Sequence, residues 1–207
     1  MLDLITALFS WVALIFIFTF HNYLKALTAV KLGDDTPRRE GFLTVNPIVH
    51  LDPIGTVLVP GILLLLGSKL LIGWPRVVPL NYNAFKNPTR AALIIALVSI
   101  FSYFLIALFG LGVYKLVDLL NLPSNVLIPL QVVFQFVFVI SVFFGFLNLL
   151  PIPPFDLGVI LLLLIGKDIH EIQTYSFWGM LIVLFLFVSG ILDKIFHPIW
   201  LILQSFL

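Results

Sequence analysis

Long apolar runs divide this chain into segments that predict membrane-spanning helices. A helix needs roughly 20 consecutive apolar residues to cross the hydrocarbon core of a bilayer. Four runs meet that requirement, at residues 2–20, 91–117, 126–150 and 175–192. With the shorter runs between them, the pattern predicts an all-α polytopic membrane protein with about four to six membrane segments.

Three weaker segments complete the pattern. Residues 54–72 are apolar but contain Pro60-Gly61, which predicts a segment that enters the membrane, breaks and returns. Residues 159–165 predict a half-helix after a proline-rich break, and residues 201–207, beyond Pro198, predict an interfacial tail. No repeat or linker divides the chain. We therefore expect one integral membrane domain over 1–207, with its core at 1–166 and C-terminal helices over 174–207.

The composition supports a lipid environment and excludes several kinds of site. The 207 residues are 61% hydrophobic and 10% charged, whereas soluble domains are about half apolar and a quarter charged. A net charge of +1 gives no reason to expect nucleic acid as a partner. The chain has no cysteine, which excludes disulfides, thiolate metal ligands and a cysteine nucleophile.

Basic residues predict the orientation. Eight of the eleven lysines and arginines lie between Lys25 and Arg90, in two loops on either side of 54–72. Such residues accumulate on the cytoplasmic side. If 54–72 is re-entrant, loops 25–53 and 68–90 are both cytoplasmic, the N-terminus is extracytoplasmic, and His21 lies on the same face as Asp156. Asp34, in the first loop, is expected to be solvated.

The run around His21 is expected to close the first helix, and it carries half of a metal site. His-Glu-x-x-His places two zinc ligands on one helical face, with the glutamate as general base. This chain has His21, Asn22 and Lys25 at those positions. An asparagine amide cannot take a proton from water, and a lysine ammonium has no lone pair for a metal.

Asp156 stands where a third ligand would be expected. It ends the segment 148–156, which contains Asn148, Pro151, Pro153 and Pro154. Only His21 and Asp156 then remain as ligands, too few for the usual zinc site, and we expect zinc to be absent. A charge inside a membrane is normally paired, which predicts a structural pair of Lys25 with Asp156. The alternative is that Lys25 reaches the cytoplasmic interface.

Three motifs resemble those of the site-2 protease family, the intramembrane zinc metalloproteases, and specifically short bacterial-type members without a PDZ domain. The first contains Asn46, His50, Asp52, Pro53 and Gly55, in the pattern Asn-Pro-x-x-His-x-Asp-Pro-x-Gly. The second is 73–81, similar to Gly-Trp-x-x-Pro-Val-Pro-Val-Asn, and the third is 148–156. The resemblance extends from the first helix to Gly158.

Departures from the family pattern cluster at the positions that would bind the metal, act as the base or contact the substrate. Besides Asn22 and Lys25, Tyr103 replaces the asparagine of Gly-Pro-x-x-Asn, which in the family is thought to contact the substrate. Leu157 replaces a glycine of Leu-Asp-Gly-Gly, where close backbone approach is required. The resemblance places Tyr103 and the 148–154 segment in the family's groove. It implies a degenerate active site with no catalytic residues.

The function this implies is a non-enzymatic one. We expect a pseudoprotease of a prokaryotic plasma membrane that acts as a binding, scaffold or accessory subunit for other membrane proteins, such as those of a larger complex. One alternative is an active metalloprotease in which His50 or water completes an altered metal site. Another is a small transporter or channel lined by polar residues of the spans, namely Ser99, Ser102, Gln131, Gln135 and Ser141.

Overall fold

The regular structure of the chain is helical, as the hydrophobic pattern predicts. A computed structural model describes residues 4–65 and 73–207. Within them the α-helices are α1 (Leu4–Leu32), α2 (Thr36–Arg39), α3 (Val59–Leu65), α4 (Pro88–Leu119), α5 (Ser124–Asn148), α6 (Asp156–Leu164), α7 (Ile169–Val188) and α8 (Ile191–Gln204). Short 3-10 turns occupy Pro47–Val49 and Tyr82–Ala84, and a π-helix occupies Pro53–Leu58.

Three helices among the described residues, α1, α4 and α5, are long and apolar enough to cross a membrane. A fourth span is formed if Thr174–Leu186 and α8, which meet at 74°, are counted as one broken helix. The all-α polytopic membrane fold is therefore confirmed.

The three long helices pack into one bundle. Leu14, Ile17 and Phe18 of α1 meet Tyr103 of α4 and Val137 of α5 in a shared buried cluster. Helices α4 and α5 approach closely at Gly110, where a Cβ would lie 2.9 Å from the main-chain nitrogen of Phe138. Small residues that allow such an approach are typical of helix pairs in membranes, where packing rather than water exclusion stabilises association.

Contacts with α4 show how deep the other elements lie in the bundle. Residues 91–114 carry no charge and extend about 36 Å at 1.5 Å per residue. Phe138, Gly145, Asp156 and Leu163 contact successively earlier positions of α4, at Gly110, Phe104, Ser99 and Ala92. Helix α5, the break after it and α6 thus follow α4 in the opposite direction, and α6 begins near the middle of the uncharged stretch.

The prediction that the run around His21 closes the first helix is wrong. Helix α1 continues to Leu32 and ends before Gly33, whose φ of +115° is outside the helical range. No proline or glycine interrupts residues 21–32, so nothing in the local sequence opposes helix. His21 and Lys25 are consequently held rigidly within the membrane helix.

The segment after residue 50 returns to its starting point. Leu51 bridges Pro75, the Arg76 amide donates to the His50 carbonyl at 2.9 Å, and the Trp74 amide donates to the Gly55 carbonyl at 3.3 Å. A full crossing would separate these two ends by about 30 Å. The two ends of this segment therefore lie at one level, as the ends of a hairpin do.

The predicted break at Pro60-Gly61 is not found, and the rest of the 54–72 prediction, at 66–72, lies outside the described residues. Pro60 and Gly61 lie inside α3, at its first turn. Proline is tolerated there because the first helical amides need no partner within the helix. Irregularity appears earlier instead, as the π-helix Pro53–Leu58.

The C-terminal segment is part of the core and not an interfacial tail. Pro198 lies within α8 without ending it, and Leu203 is buried against Ala107 and Phe138. The Tyr114 hydroxyl donates to the Leu207 carbonyl at 3.1 Å. The expectation of a tail is wrong because the apolar face of α8 packs in the groove between α4 and α5.

Asp34 also differs from expectation, since its side chain is fully buried. One carboxylate oxygen accepts from the Thr36 amide at 2.9 Å and the other from the Asn81 amide at 2.7 Å. These two main-chain donors replace water around the carboxylate. Asp34 thereby connects the end of α1 to the loop that precedes α4.

Candidate functional site

Three helices bring the predicted site residues together near mid-depth of the bundle. Helix α1 contributes His21 and Lys25, which are four residues apart and lie on one face. Helix α6 contributes Asp156 at its first residue, and α4 contributes Ser99 and Ser102. All but Lys25 are buried.

Asp156 is stabilised from three directions. The Ser99 hydroxyl donates to Oδ2 at 2.6 Å, and Lys25 Nζ lies 3.8 Å from Oδ1. The carboxylate also stands at the N-terminus of α6, where the helix dipole favours negative charge. The separation from Lys25 exceeds hydrogen-bond range, so this contact is an ion pair without a direct hydrogen bond.

His21 is oriented by a chain of two hydroxyl contacts. Its Nδ1 lies 2.7 Å from Ser102 Oγ, and Ser102 Oγ donates to the Ser99 carbonyl at 2.7 Å. A serine has one hydroxyl hydrogen, so the imidazole supplies the hydrogen of the first contact. This assigns the proton to Nδ1 and leaves the lone pair on Nε2.

Tyr103 packs as an aromatic residue at its motif position. Its ring stacks on His21 with centroids 4.1 Å apart, and on Phe144 of α5 at 5.6 Å. The phenol is buried. The position at which the family pattern has a polar amide is therefore occupied here by a stack that closes over the imidazole.

The 148–156 segment turns the chain from α5 into α6. The Asn148 side chain donates to the Phe144 carbonyl of its own helix at 2.9 Å. Pro151, Pro153 and Pro154 lie in the non-helical break that follows. A Cβ on Gly158 or on Gly179 would overlap the backbone of Ile152 and Pro153. These two glycines allow α6 and α7 to close on the break.

The Asn22 side chain forms its hydrogen bond with the chain near the hairpin and not with Asp156. Its Nδ2 donates to the Arg76 carbonyl at 2.7 Å, just beyond the return of the hairpin. Its side chain is 2% exposed. The residue at the position of the general base thus fixes α1 to the chain that follows the hairpin.

The first loop motif builds the hairpin. The Asn46 side chain accepts from the Ile48 amide, and Asp52 accepts from the amides of Ile54 and Gly55. Pro53 begins the π-helix, and a Cβ on Gly55 would overlap the Trp74 indole.

His50 is fully buried, and its Nε2 donates to the Thr44 carbonyl at 2.8 Å. Its Nδ1 has no hydrogen-bond partner among the described residues. Burial lowers the pKa of His50, and the bond to Thr44 offsets part of that effect. The side chain is therefore a neutral element of the loop.

The residues present do not fit a zinc ion. Across residues 4–65 and 73–207, no three histidine, cysteine, aspartate or glutamate side chains are grouped as metal ligands. His50 is thus not grouped with His21 and Asp156. The Lys25 ammonium faces the Asp156 carboxylate that a metal would need. A cation already compensates that charge, so a second one would be repelled.

Ser99 and Ser102 are the site residues that the motifs did not identify. They lie in the segment that corresponds to Gly-Pro-x-x-Asn, where the resemblance gives a role only to Tyr103, yet they bind Asp156 and His21. Their spacing of three residues on one helix, next to the position of Tyr103, was the available signal. Gln131, another of those polar residues, donates to Asp118 at 2.9 Å.

One comparison with known proteins establishes the family. The chain is 30% identical over 190 residues to a Bacillus subtilis (strain 168) protein named "Putative zinc metalloprotease YwhC", covering 90% of this chain and 83% of that protein. The chain belongs to the YwhC family. This membership is consistent with the site-2-protease-like motifs described above. No family profile matches the chain, and no solved structure does.

Proposed function

We propose that this YwhC-family chain is a catalytically inactive membrane protein that binds segments of other membrane proteins as a scaffold or accessory subunit. The observation that carries the proposal is the Lys25–Asp156 contact of 3.8 Å. Lys25 stands at the position of the second zinc ligand, and its ammonium lies against the carboxylate of the third. An ammonium here takes the electrostatic role of a metal and holds α1 to α6.

The hydrolytic step also lacks a base. Asn22 occupies the base position, and its amide is directed to the Arg76 carbonyl. An amide has no useful basicity, so water bound nearby would not be deprotonated. We accordingly propose that the chain binds no zinc and cleaves no peptide bond.

A cleft supports the binding role. Leu24 of α1 and Leu97, Phe101, Ser102 and Leu105 of α4 line an apolar cavity of about 360 Å³, together with Ile94 and Val98. Its lining includes Ser102, which also holds His21. The cleft lies at the depth of the degenerate site and has the size of a small ligand pocket. It suits an apolar segment that approaches through the bilayer.

We propose the orientation that the basic residues predict. The end of α1 at Ala29 packs with Phe85 and Ala91, at the start of α4. The basic loops on both sides of the hairpin then share the cytoplasmic side, and the N-terminus is extracytoplasmic.

Metal analysis of the purified chain tests the inactive assignment. We expect no stoichiometric zinc in the wild type after purification without chelators. The Lys25→His variant should gain zinc, because it adds an imidazole one turn from His21 and removes the competing cation. Lys25→Gln, which removes the cation without adding a ligand, is the matched control and should stay metal-free. Stoichiometric zinc in the wild type would instead support an active enzyme.

Co-purification tests the binding role. A partner recovered with the wild type should be lost when Leu105→Trp fills the cleft. Leu108→Trp, on an exposed position of the same helix that does not line the cleft, should retain it. Equal recovery with both variants would place the partner elsewhere on the chain.

A further inference from the structure

Helix α8 carries charged side chains on its exposed face, near mid-depth of the bundle. Its buried residues, Leu192, Phe196 and Leu203, all face the bundle. Asp193, Lys194 and His197 are exposed on the other side. We call these three residues the α8 polar face. Its two charged residues, Asp193 and Lys194, form no ion pair with any described residue.

Contacts along α8 fix the depth of this face. Phe196 packs on Phe143 with ring centroids 4.5 Å apart, and Phe206 packs on Phe138 at 6.3 Å. Helix α8 therefore runs antiparallel to α5, and Asp193 lies one turn beyond Phe196 toward the end of α5. That end packs on α4 at Phe104, through Gly145.

Phe104 is close to the centre of the uncharged stretch 91–114. Asp193 and Lys194 therefore lie near mid-depth of the bilayer, facing outward from the bundle. Ionised groups at that depth are rare, and they are normally paired with one another or face a protein interior. Lipid offers neither a counter-charge nor a hydrogen bond. The long lysine side chain can extend toward an interface, but the short aspartate cannot.

The sequence of this face suits a second copy of itself. Asp193 and Lys194 are adjacent, so they differ in depth by only about 1.5 Å. In a dimer with its two-fold axis along the membrane normal, both copies keep the same orientation in the bilayer. Asp193 of one copy then lies level with Lys194 of the partner subunit, and the reverse pair forms by symmetry.

We propose that the α8 polar face is a homodimer interface in which Asp193 and Lys194 form two reciprocal ion pairs across the two-fold axis. His197 lies on the same face, one turn further along α8. The apolar face of α8 is already used within its own chain. The interface therefore requires no rearrangement of the bundle.

Charge exchange is the decisive test, in the full chain reconstituted in lipid nanodiscs or liposomes. Asp193→Lys places two lysines on each face and should weaken the dimer roughly tenfold through like-charge repulsion. Lys194→Asp should do the same with two aspartates. The double variant, Asp193→Lys with Lys194→Asp, restores reciprocal pairs and should return the dimer fraction to the wild-type value. Subunit counting by single-molecule photobleaching gives the fraction, and two steps are expected for the wild type.

Because the chain has no cysteine, a single introduced cysteine can be cross-linked selectively, which gives a second test. His197→Cys should form a covalent dimer with a short lipid-soluble cross-linker, whereas Leu108→Cys, exposed on α4 outside this face and outside the cleft, should not. A wild type that counts as a monomer in lipid overturns the proposal. So does a double variant no better than the single ones, or equal cross-linking at both cysteines. A larger, heterologous adduct at position 197 in native membranes, with a monomeric purified chain, would assign the face to a different protein.

Discussion

The side-chain amide of Asn22 donates to the main-chain carbonyl of Arg76 across 2.7 Å. This bond joins the middle of α1 to the strand-like return of the hairpin, two elements 54 positions apart in sequence. A carboxylate at residue 22 could not make it, because an ionised carboxylate only accepts hydrogen bonds. The loss of the family's glutamate is therefore matched by a structural use of its replacement.

Replacing the Asn22 donor should destabilise the fold, and more so with a charged isostere. Asn22→Leu leaves the Arg76 carbonyl unpaired and should cost about 1–3 kcal/mol. Asn22→Asp keeps the shape but places a buried carboxylate against that carbonyl, so at pH 7.5 it should cost more than Asn22→Leu. Thermal unfolding in mild detergent measures both. A wild-type midpoint for Asn22→Leu would show that the bond contributes nothing.

The Lys25–Asp156 pair should appear as a coupling energy. Removing one partner, as in Lys25→Met or Asp156→Asn, leaves the other charge uncompensated, so each single change should be destabilising. The double change should cost less than the sum of the two. Because Lys25 is 25% exposed and the atoms are 3.8 Å apart, we expect a coupling of only about 1 kcal/mol.

A double-mutant cycle by chemical unfolding in detergent determines that coupling. Lys31→Met with Asp156→Asn is the matched control, since Lys31 lies on the same helix but forms no ion pair with Asp156. Additive effects in the Lys25 cycle, equal to those in the control cycle, would contradict a structural role for the pair.

Much of the fold follows from the sequence because lipid imposes simple rules on a chain. The runs at 91–117 and 126–150 predict α4 and α5 to within three residues at each end. In a membrane, an uninterrupted apolar run satisfies its backbone hydrogen bonds by forming a helix. The half-helix after the proline-rich break is likewise found, as α6. Its start is decided by Asp156, which suits a helix N-terminus.

The remainder depends on contacts that spacing alone does not specify. The length of α1 was underestimated because hydropathy falls at His21, while helix propensity continues to Gly33. Asp34 is predicted to lie in solvent, yet the nearby amide of Thr36 and the distant amide of Asn81 both donate to its carboxylate. Ser99 and Ser102 gain their roles only when α6 and α1 close on α4. The contacts of Asp34 with Asn81 and of the two serines with α6 and α1 are tertiary, so no local pattern specifies them. The end of α1, by contrast, follows from local helix propensity.

The two glycines at the proline-rich break should resist substitution. A Cβ at residue 158 would overlap Ile152, and one at residue 179 would overlap the Pro153 carbonyl. Gly158→Ala and Gly179→Ala should therefore each lower the unfolding free energy by about 1–3 kcal/mol, as overpacking does. Gly112→Ala, in α4 where the added carbon would meet no other described part of the chain within 4 Å apart from the local helix backbone, should be neutral or slightly stabilising. Similar midpoints for all three would contradict the close approach of α6 and α7 to the break.

Stability should fall on mild acidification because of His50. Burial lowers its pKa in the folded chain, whereas the unfolded value stays near 6.5. Between the lowered pKa and 6.5 the unfolded chain binds more protons, so the unfolding free energy rises with pH across that window. The contribution is complete above pH 6.5 and is progressively lost below it, by at most about 1.4 kcal/mol per pH unit. Its structural cause is the buried Nδ1, because a proton added there would find no hydrogen-bond acceptor among the described residues.

His50→Gln retains a donor for the Thr44 carbonyl but does not titrate. The difference in slope between wild type and variant therefore isolates the contribution of this residue from that of the other histidines. Unfolding measured in detergent between pH 5 and pH 7.5 should show the steeper dependence in the wild type, and parallel curves would mean that His50 is as readily protonated in the folded chain as in the unfolded one.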